Sequence, residues 1–245
     1  MKLFFIRHGD PDYANDTLTS KGFREAELLA EYLSKTNFHI DHCYTSPLGR
    51  AKDTARFTLD RLNMEAIEMD WLQEFPCRIW RPDRTDKKVI CWDWLPADWA
   101  DEESFYSSEH WMDDKRMAEG GVGEEYHKVT TSFAELLKSH GYVKEGRVFR
   151  AEKANNDAIV FFCHFGVTCV MLSFLLNISP MVLWHGFVAA PTSVTKVVTE
   201  ERRKGIASFR VVEFADTTHL KHAGEPLAPA ARFCECFENE QERHD

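Results

Sequence analysis

Two hydrophobic rhythms alternate along the chain. Residues 2–6 form a short apolar run closed by Gly9 and Pro11, the pattern of a buried strand. After a polar loop, Thr19 or Ser20 can cap a helix on which Phe23, Ala26, Leu29, Ala30 and Leu33 recur at helical spacing. A short strand around 40–44 leads to Ser46-Pro47, read as a serine N-cap with proline in the first helical position, and the helix runs to about Leu62. Residues 66–70 predict a weaker strand. From about 76 to 121 the periodicity fails. Helical spacing resumes over 124–139, and Tyr142 to Lys153 alternates around Lys144-Glu145-Gly146 as a hairpin would. The run AIVFFC (158–163) is the clearest buried strand, followed by a helix over about 166–177. Strands near 193–199 and 206–214 flank the turn ERRKG, and the last thirty residues are polar and weakly patterned.

Strand–helix alternation at both ends of the chain predicts an α/β fold whose largely parallel sheet is covered by helices. A length of 245 residues suits a single domain, with the aperiodic stretch at about 76–121 as an inserted cap or lid. That stretch holds five of the seven tryptophans (Trp80, Trp92, Trp94, Trp99, Trp111), so an aromatic satellite core and a homodimer contact are its other readings.

A net charge of −10 argues against nucleic acid as a partner, because such binding rests on a basic face. Any anion site is therefore a local positive pocket on an acidic protein. The seven cysteines are scattered without paired C-x-x-C motifs, which points to reduced thiols rather than a zinc ribbon. The run before Arg7 is too short for a signal-peptide core, and the longest apolar stretch, 167–178, is too short to span a bilayer. The expected setting is cytoplasmic, with no membrane association.

The polar residues that follow each strand carry the chemistry. The first strand ends in Arg7-His8-Gly9, and the second leads to T-S-P-L-G-R, with Arg50 in the first turn of its helix. The third is followed by W-L-Q-E-F with Glu74, and 158–163 ends in His164-Phe165-Gly166 at a helix start. In an open parallel sheet the carboxyl ends of the strands share one crevice, so two histidines, two arginines and a glutamate would meet there. Arginine forks pair with phosphate oxygens, and N–H groups at a helix start favour an anion. A neutral imidazole can attack phosphorus, and a carboxyl of raised pKa can protonate the leaving alcohol and then activate water. This is a set for phosphoryl transfer in which the arginines take the electrostatic role of a metal; neither a metal nor a cofactor is expected.

The run L-F-F-I-R-H-G (3–9) resembles the signature of the histidine phosphatase superfamily, the phosphoglycerate mutase-like proteins. The likeness continues through L-T-S-K-G-F-R-E-A-E-L-L-A (18–30), S-P-L-G-R-A (46–51), W-L-Q-E-F (71–75) and V-F-F-C-H-F-G-V (160–167). It implies a three-layer α/β/α domain with a mixed, mainly parallel sheet. By position it implies that His8 is the nucleophile, that Arg7, Arg50 and His164 hold the phosphoryl group, and that Glu74 is the acid and base. Three departures stand out. Phe165 intervenes before Gly166, where the family shows glycine directly after the histidine; Asn15 is the equivalent of an asparagine usually spaced differently from the first histidine; and Glu25 or Glu27 replaces a glutamine, on what reads as an outer helix face.

The expected function is a metal-independent phosphomonoesterase acting through phospho-His8 on a small phosphorylated metabolite. The same groups would serve a cofactor-dependent phosphoglycerate mutase, although residues 76–122 lack a recognisable mutase-type basic segment. A non-catalytic phospholigand-binding relative would keep the pocket without turnover. Arg78, Arg81, Arg84, Lys87 and Lys88 could meet a second anionic group or form a solvated run. His39, His42, His219 and His222 read as surface histidines despite their metal-like spacing, and W-H-G-F (184–187) reads as either pocket lining or a turn.

Overall fold

Leu3 and Phe5 face one side of the first strand and Phe4 and Ile6 the other, and all four are buried. A strand apolar on both faces must lie inside a sheet covered on both sides. The computed structural model, which describes residues 1–36 and 38–244, has this arrangement. Eight strands, β1 (Lys2–Arg7), β2 (His42–Thr45), β3 (Ile67–Glu68), β4 (Tyr142–Glu145), β5 (Val148–Ala151), β6 (Ala158–Cys163), β7 (Val194–Arg203) and β8 (Ile206–Asp216), form one sheet in the order β3-β2-β6-β1-β7-β8-β5-β4. β1, β6, β2 and β3 pair in parallel. β7 and β5 run against their neighbours, so six of the eight strands point the same way.

The helices α1 (Ser20–Lys35), α2 (Gly49–Leu62), α3 (Val122–Ser139) and α4 (Phe165–Leu176) flank this sheet, while α5 (Pro180–Gly186) packs on α4 and α6 (Thr218–Ala223) on α1. Phe4, Ile6, Val160 and Phe162 pack with Leu29 and Leu33 of α1 and Ala55 of α2. On the opposite face Leu3, Phe5, Ile159 and Phe161 pack with Phe133 and Leu137 of α3 and Val170 of α4. The fold is the expected three-layer α/β/α.

Local chemistry sets the element ends. Thr19 caps α1, its hydroxyl accepting from the Gly22 N–H at 3.1 Å. The helix after Ser46-Pro47 starts later than the serine-cap reading: Leu48 occupies the N-cap of α2. Ser46 is drawn away because its hydroxyl meets His164 at 2.8 Å, while still accepting from the Leu48 N–H at 3.3 Å. α6 lies in the tail that carried little pattern, and it buries Leu220 and His219 against α1. His219 is thus not a surface histidine; its Nε2 meets the Thr192 hydroxyl at 2.9 Å.

Ile79, Cys91, Trp94, Phe105, Trp111 and Met117 of the insertion are buried in the same cluster as α3 and α4. The seven cysteines are free thiols. No helix among the described residues is long and apolar enough to cross a membrane.

Candidate active site

The parallel ladder fixes the two histidines. Arg7 is in register with Cys163, and Phe162 with Thr45, so His8, His164 and Ser46 each follow directly on a paired strand end. The His8 N–H still donates to the Cys163 carbonyl (3.0 Å), and the Ser46 N–H to that of Phe162 (2.9 Å). The two imidazoles end with ring centroids 5.0 Å apart, both fully buried.

Burial and the nearby Arg7 charge hold the His8 pKa well below its usual value, with Arg50 acting in the same sense. The ring is therefore neutral near pH 7 and carries one proton. Nδ1 lies 2.7 Å from the Gly9 carbonyl, which can only accept, so the proton sits there. That leaves Nε2 with its lone pair, buried and without a partner among the described residues. His164 is likewise kept neutral, by burial first and then by His8 and the arginines. Its Nε2 meets Ser46, and its Nδ1 has no partner.

The arginines are held by separate contacts. Arg7 donates to the Ala189 carbonyl at 2.5 Å and leaves its Nε without a partner. Arg50, buried at the start of α2, donates to Asp16 Oδ1 at 2.6 Å and lies 5.4 Å from the centre of the Tyr13 ring. Asp16 sits in the left-handed region (φ 48°), which turns its other carboxylate oxygen to the Gly49 N–H at 2.7 Å. A side chain at Gly49 would place its Cβ 2.0 Å from the Asp16 carbonyl oxygen, so this approach requires glycine.

Glu74 Oε1 accepts from the N–H groups of Gly166 (2.8 Å) and Phe75 (3.2 Å), leaving Oε2 for other partners. Burial pushes its pKa up, against the pull of Arg7 and Arg50. A Cβ at position 166 would stand 2.6 Å from Oε1, so the glycine displaced by one residue is the one that lets the helix start grip this carboxyl.

His8, His164, Glu74, Arg7 and Arg50 are thus brought together. Phe165 lines the adjoining cleft, with its ring edge-on to Trp92. Asn15 is not brought in: it is exposed, and its amide donates to Asp12 at 2.8 Å. Glu25 lies on no outer face. It is fully buried, with Oε2 accepting the Asp10 N–H at 2.9 Å, and it braces the loop behind His8. In the sequence Ser46 reads only as an N-cap within S-P-L-G-R-A, and Asp16 carries no signal there. Arg81 and Arg84 are engaged by Asp83 and Asp86 respectively. The W-H-G-F segment ends α5, and Trp184, His185 and Phe187 all line the cleft.

This cleft, of about 490 Å³, reaches from Arg7 and Glu74 between insertion residues such as Trp92 and Trp99 to Phe233 and Arg243 of the tail. A sequence model of the histidine phosphatase superfamily (branch 1) matches residues 3–212. The chain belongs to that superfamily. Within it, the protein is similar to phosphoserine phosphatase 1 of Hydrogenobacter thermophilus, with 24% identity over 90% of this chain and 94% of the relative. Its fold resembles that of a phosphoserine phosphatase mutant from Entamoeba histolytica solved with phosphoserine (TM-score 0.59, 20% identity, 89% of this chain and 98% of that one). It also resembles a mycobacterial glucosyl-3-phosphoglycerate phosphatase solved with VO3 (TM-score 0.55, 17% identity, 88% and 99%).

For a histidine phosphatase, the donor atoms raise one further point. His8, Glu74 and His164 present ligand atoms within 4.8 Å of one another, and so do His42, His140 and Asp157 on the side of the sheet where β2 and β6 begin. A cation at the first set would face Arg7 and Arg50, whose charges oppose it and favour an anion.

Proposed function

We propose that this phosphoric monoester hydrolase of the histidine phosphatase superfamily works through a phosphohistidine on His8, without a metal. The observation that carries the reading is the His8 ring, neutral and protonated at Nδ1, with a bare Nε2 between two arginines and a second histidine. Nε2 attacks phosphorus, the P–N bond forms as the P–O bond breaks, and the electron pair goes to the ester oxygen. Glu74, whose pKa burial pushes up, gives that oxygen its proton and releases the alcohol. The resulting carboxylate takes a proton from water, whose oxygen attacks phosphorus and returns the electron pair to Nε2.

Arg7 and Arg50 spread the charge of the transferring group. With Ser46 donating to Nε2, His164 carries its proton on Nδ1 and offers it to a phosphoryl oxygen. The substrate is a phosphorylated small molecule.

Brief incubation with a ³²P-labelled phosphomonoester, followed by acid or base quench, tests this mechanism. The label should survive base, be lost in acid and be absent from His8→Ala, whose kcat/KM should fall on the order of 10³-fold or more. Label retained by His8→Ala would sink the assignment. With 3-phosphoglycerate and a bisphosphoglycerate primer, the product should be free phosphate rather than an isomer.

A further inference from the structure

Arg7 and Glu74 account for the floor of the cleft but not for its walls. Leu95, Phe187 and Val188 border the same cavity and are 39%, 42% and 53% exposed. Tyr13 and Phe233, also exposed, complete the rim. Single exposed apolar residues are ordinary, but five around one cavity mark a binding surface. Behind them stand Trp92, Trp99, Phe165 and Trp184.

Arg81, Asp93 and His185 of the inner walls are already engaged. Arg81 is buried, with its fork held by Asp83 (2.6 and 2.8 Å) and the Asp93 carbonyl (2.7 Å). His185 is neutral, its pKa pushed down to about 4 by burial. Its two nitrogens are used by the Met181 carbonyl (2.7 Å) and the Trp94 N–H (3.2 Å), and Trp99 stacks on its ring at 4.8 Å. At the rim, Arg243 lies over the Phe233 ring at 4.0 Å. A cleft of about 490 Å³ falls in the roughly 300–1,000 Å³ range that encloses drug-sized ligands, far more than a phosphoryl group and a three-carbon chain need.

We propose that the alcohol half of the substrate carries an aromatic ring, seated against Phe165, Leu95, Phe187 and Val188. The proposal rests on the phosphatase reading above and names its substrate class. Burial of a flat apolar ring is favourable here, whereas a carboxylate would lose water without gaining an unengaged partner on the inner walls.

The test compares 2-phenylethyl phosphate with O-phosphoserine and 3-phosphoglycerate on the full chain; the first two both release primary alcohols, so their chemical reactivity is matched. The phenylethyl ester should have the higher kcat/KM by about tenfold or more. The double variant Leu95→Ala/Phe187→Ala, which alters exposed side chains, should raise KM for the phenylethyl ester about tenfold and for phosphoserine much less. Equal or better turnover of phosphoserine or 3-phosphoglycerate would overturn the proposal, as would an equal loss on both substrates in the double variant. Calorimetric titration of His8→Ala with the same esters decides the matter independently of turnover. Tighter binding of the phenylethyl ester supports this substrate class even if no ester is hydrolysed, an outcome that would instead sink the phosphatase mechanism. Equal or weaker binding overturns it.

Discussion

Ser46 shows how much a single buried hydroxyl can hold. Its contact at 2.8 Å fixes the rotation of His164, and removing it leaves a second ring nitrogen without a partner. A lost hydrogen bond of about 1–2 kcal/mol corresponds to roughly tenfold, so Ser46→Ala should lower kcat by about that factor with KM little changed. The pH profile follows from the two shifted groups. The proposed mechanism requires a neutral His8, whose pKa is depressed, so activity should rise as pH climbs through a value below the ordinary 6.5. The same mechanism requires a protonated Glu74, whose pKa is raised, so activity should fall only above the ordinary 4.5. The descending limb should vanish in Glu74→Gln together with most of the rate, as measured on an activated aryl phosphate.

Glu25 carries the opposite lesson, since its helical position gave no hint of its burial. Its carboxyl moves from 4.5 to about 7 because burial outweighs the Asp10 N–H and Lys21. A pKa raised on folding gives stability that is complete below the unfolded value and lost as pH rises through the folded one. Relative to Glu25→Gln, the wild type should therefore lose up to about 3 kcal/mol between roughly pH 4.5 and 7, read by denaturant titration at each pH. Helical spacing identifies the face turned to the sheet, but a second contact, with the loop after Gly9, covers α1 on another side. Periodicity cannot report a loop crossing.

At the scale of elements, the start of α4 matters most. Gly166 is the point where a helix N-terminus, the Glu74 carboxyl and the Trp92 indole crowd together. Gly166→Ala places a Cβ 2.6 Å from Oε1, and displacement of the carboxyl should cost about 10²-fold in kcat. Weakening of the Gly166 N–H bond removes an influence that lowers the Glu74 pKa, so the descending pH limb should move upward. The strand ends that deliver Arg7, His8 and His164 were legible because short apolar runs followed by charged residues leave few alternatives. Asp16 was not legible, since its role depends on a positive φ and on the neighbouring glycine at 49. Asn15, one residue earlier, points to Asp12 instead.

For the whole molecule, the aperiodic insertion is the stretch whose structure is least legible in the sequence. Its buried side chains come from loops and from elements of two to five residues, such as Arg78–Ile79, Glu103–Tyr106 and Lys115–Glu119, too short for a period of two or 3.6 to reveal them. Trp111 is fully buried, edge-on to Tyr126 at 5.2 Å and to Trp184 at 5.6 Å, and the Trp184 indole donates to the Gly166 carbonyl at 3.0 Å. Trp111→Ala should cost about 3–5 kcal/mol, and fluorescence and circular dichroism should report the same lowered transition. A loss confined to one probe would mean that the insertion melts on its own.

The register between β1 and β6 bears on how such a protein can vary. Arg7 opposite Cys163 sets the spacing of the two imidazoles through a continuous ladder of backbone bonds. One residue added to or taken from either strand shifts His8 or His164 by about 3.3 Å and turns it to the other face of the sheet. Substitutions can be graded in their effect, but length changes here are all-or-none. A library of single-codon insertions and deletions should contain no active members at positions 3–7 or 159–163, whereas the β4–β5 turn, far along the sheet from both histidines, should accept them.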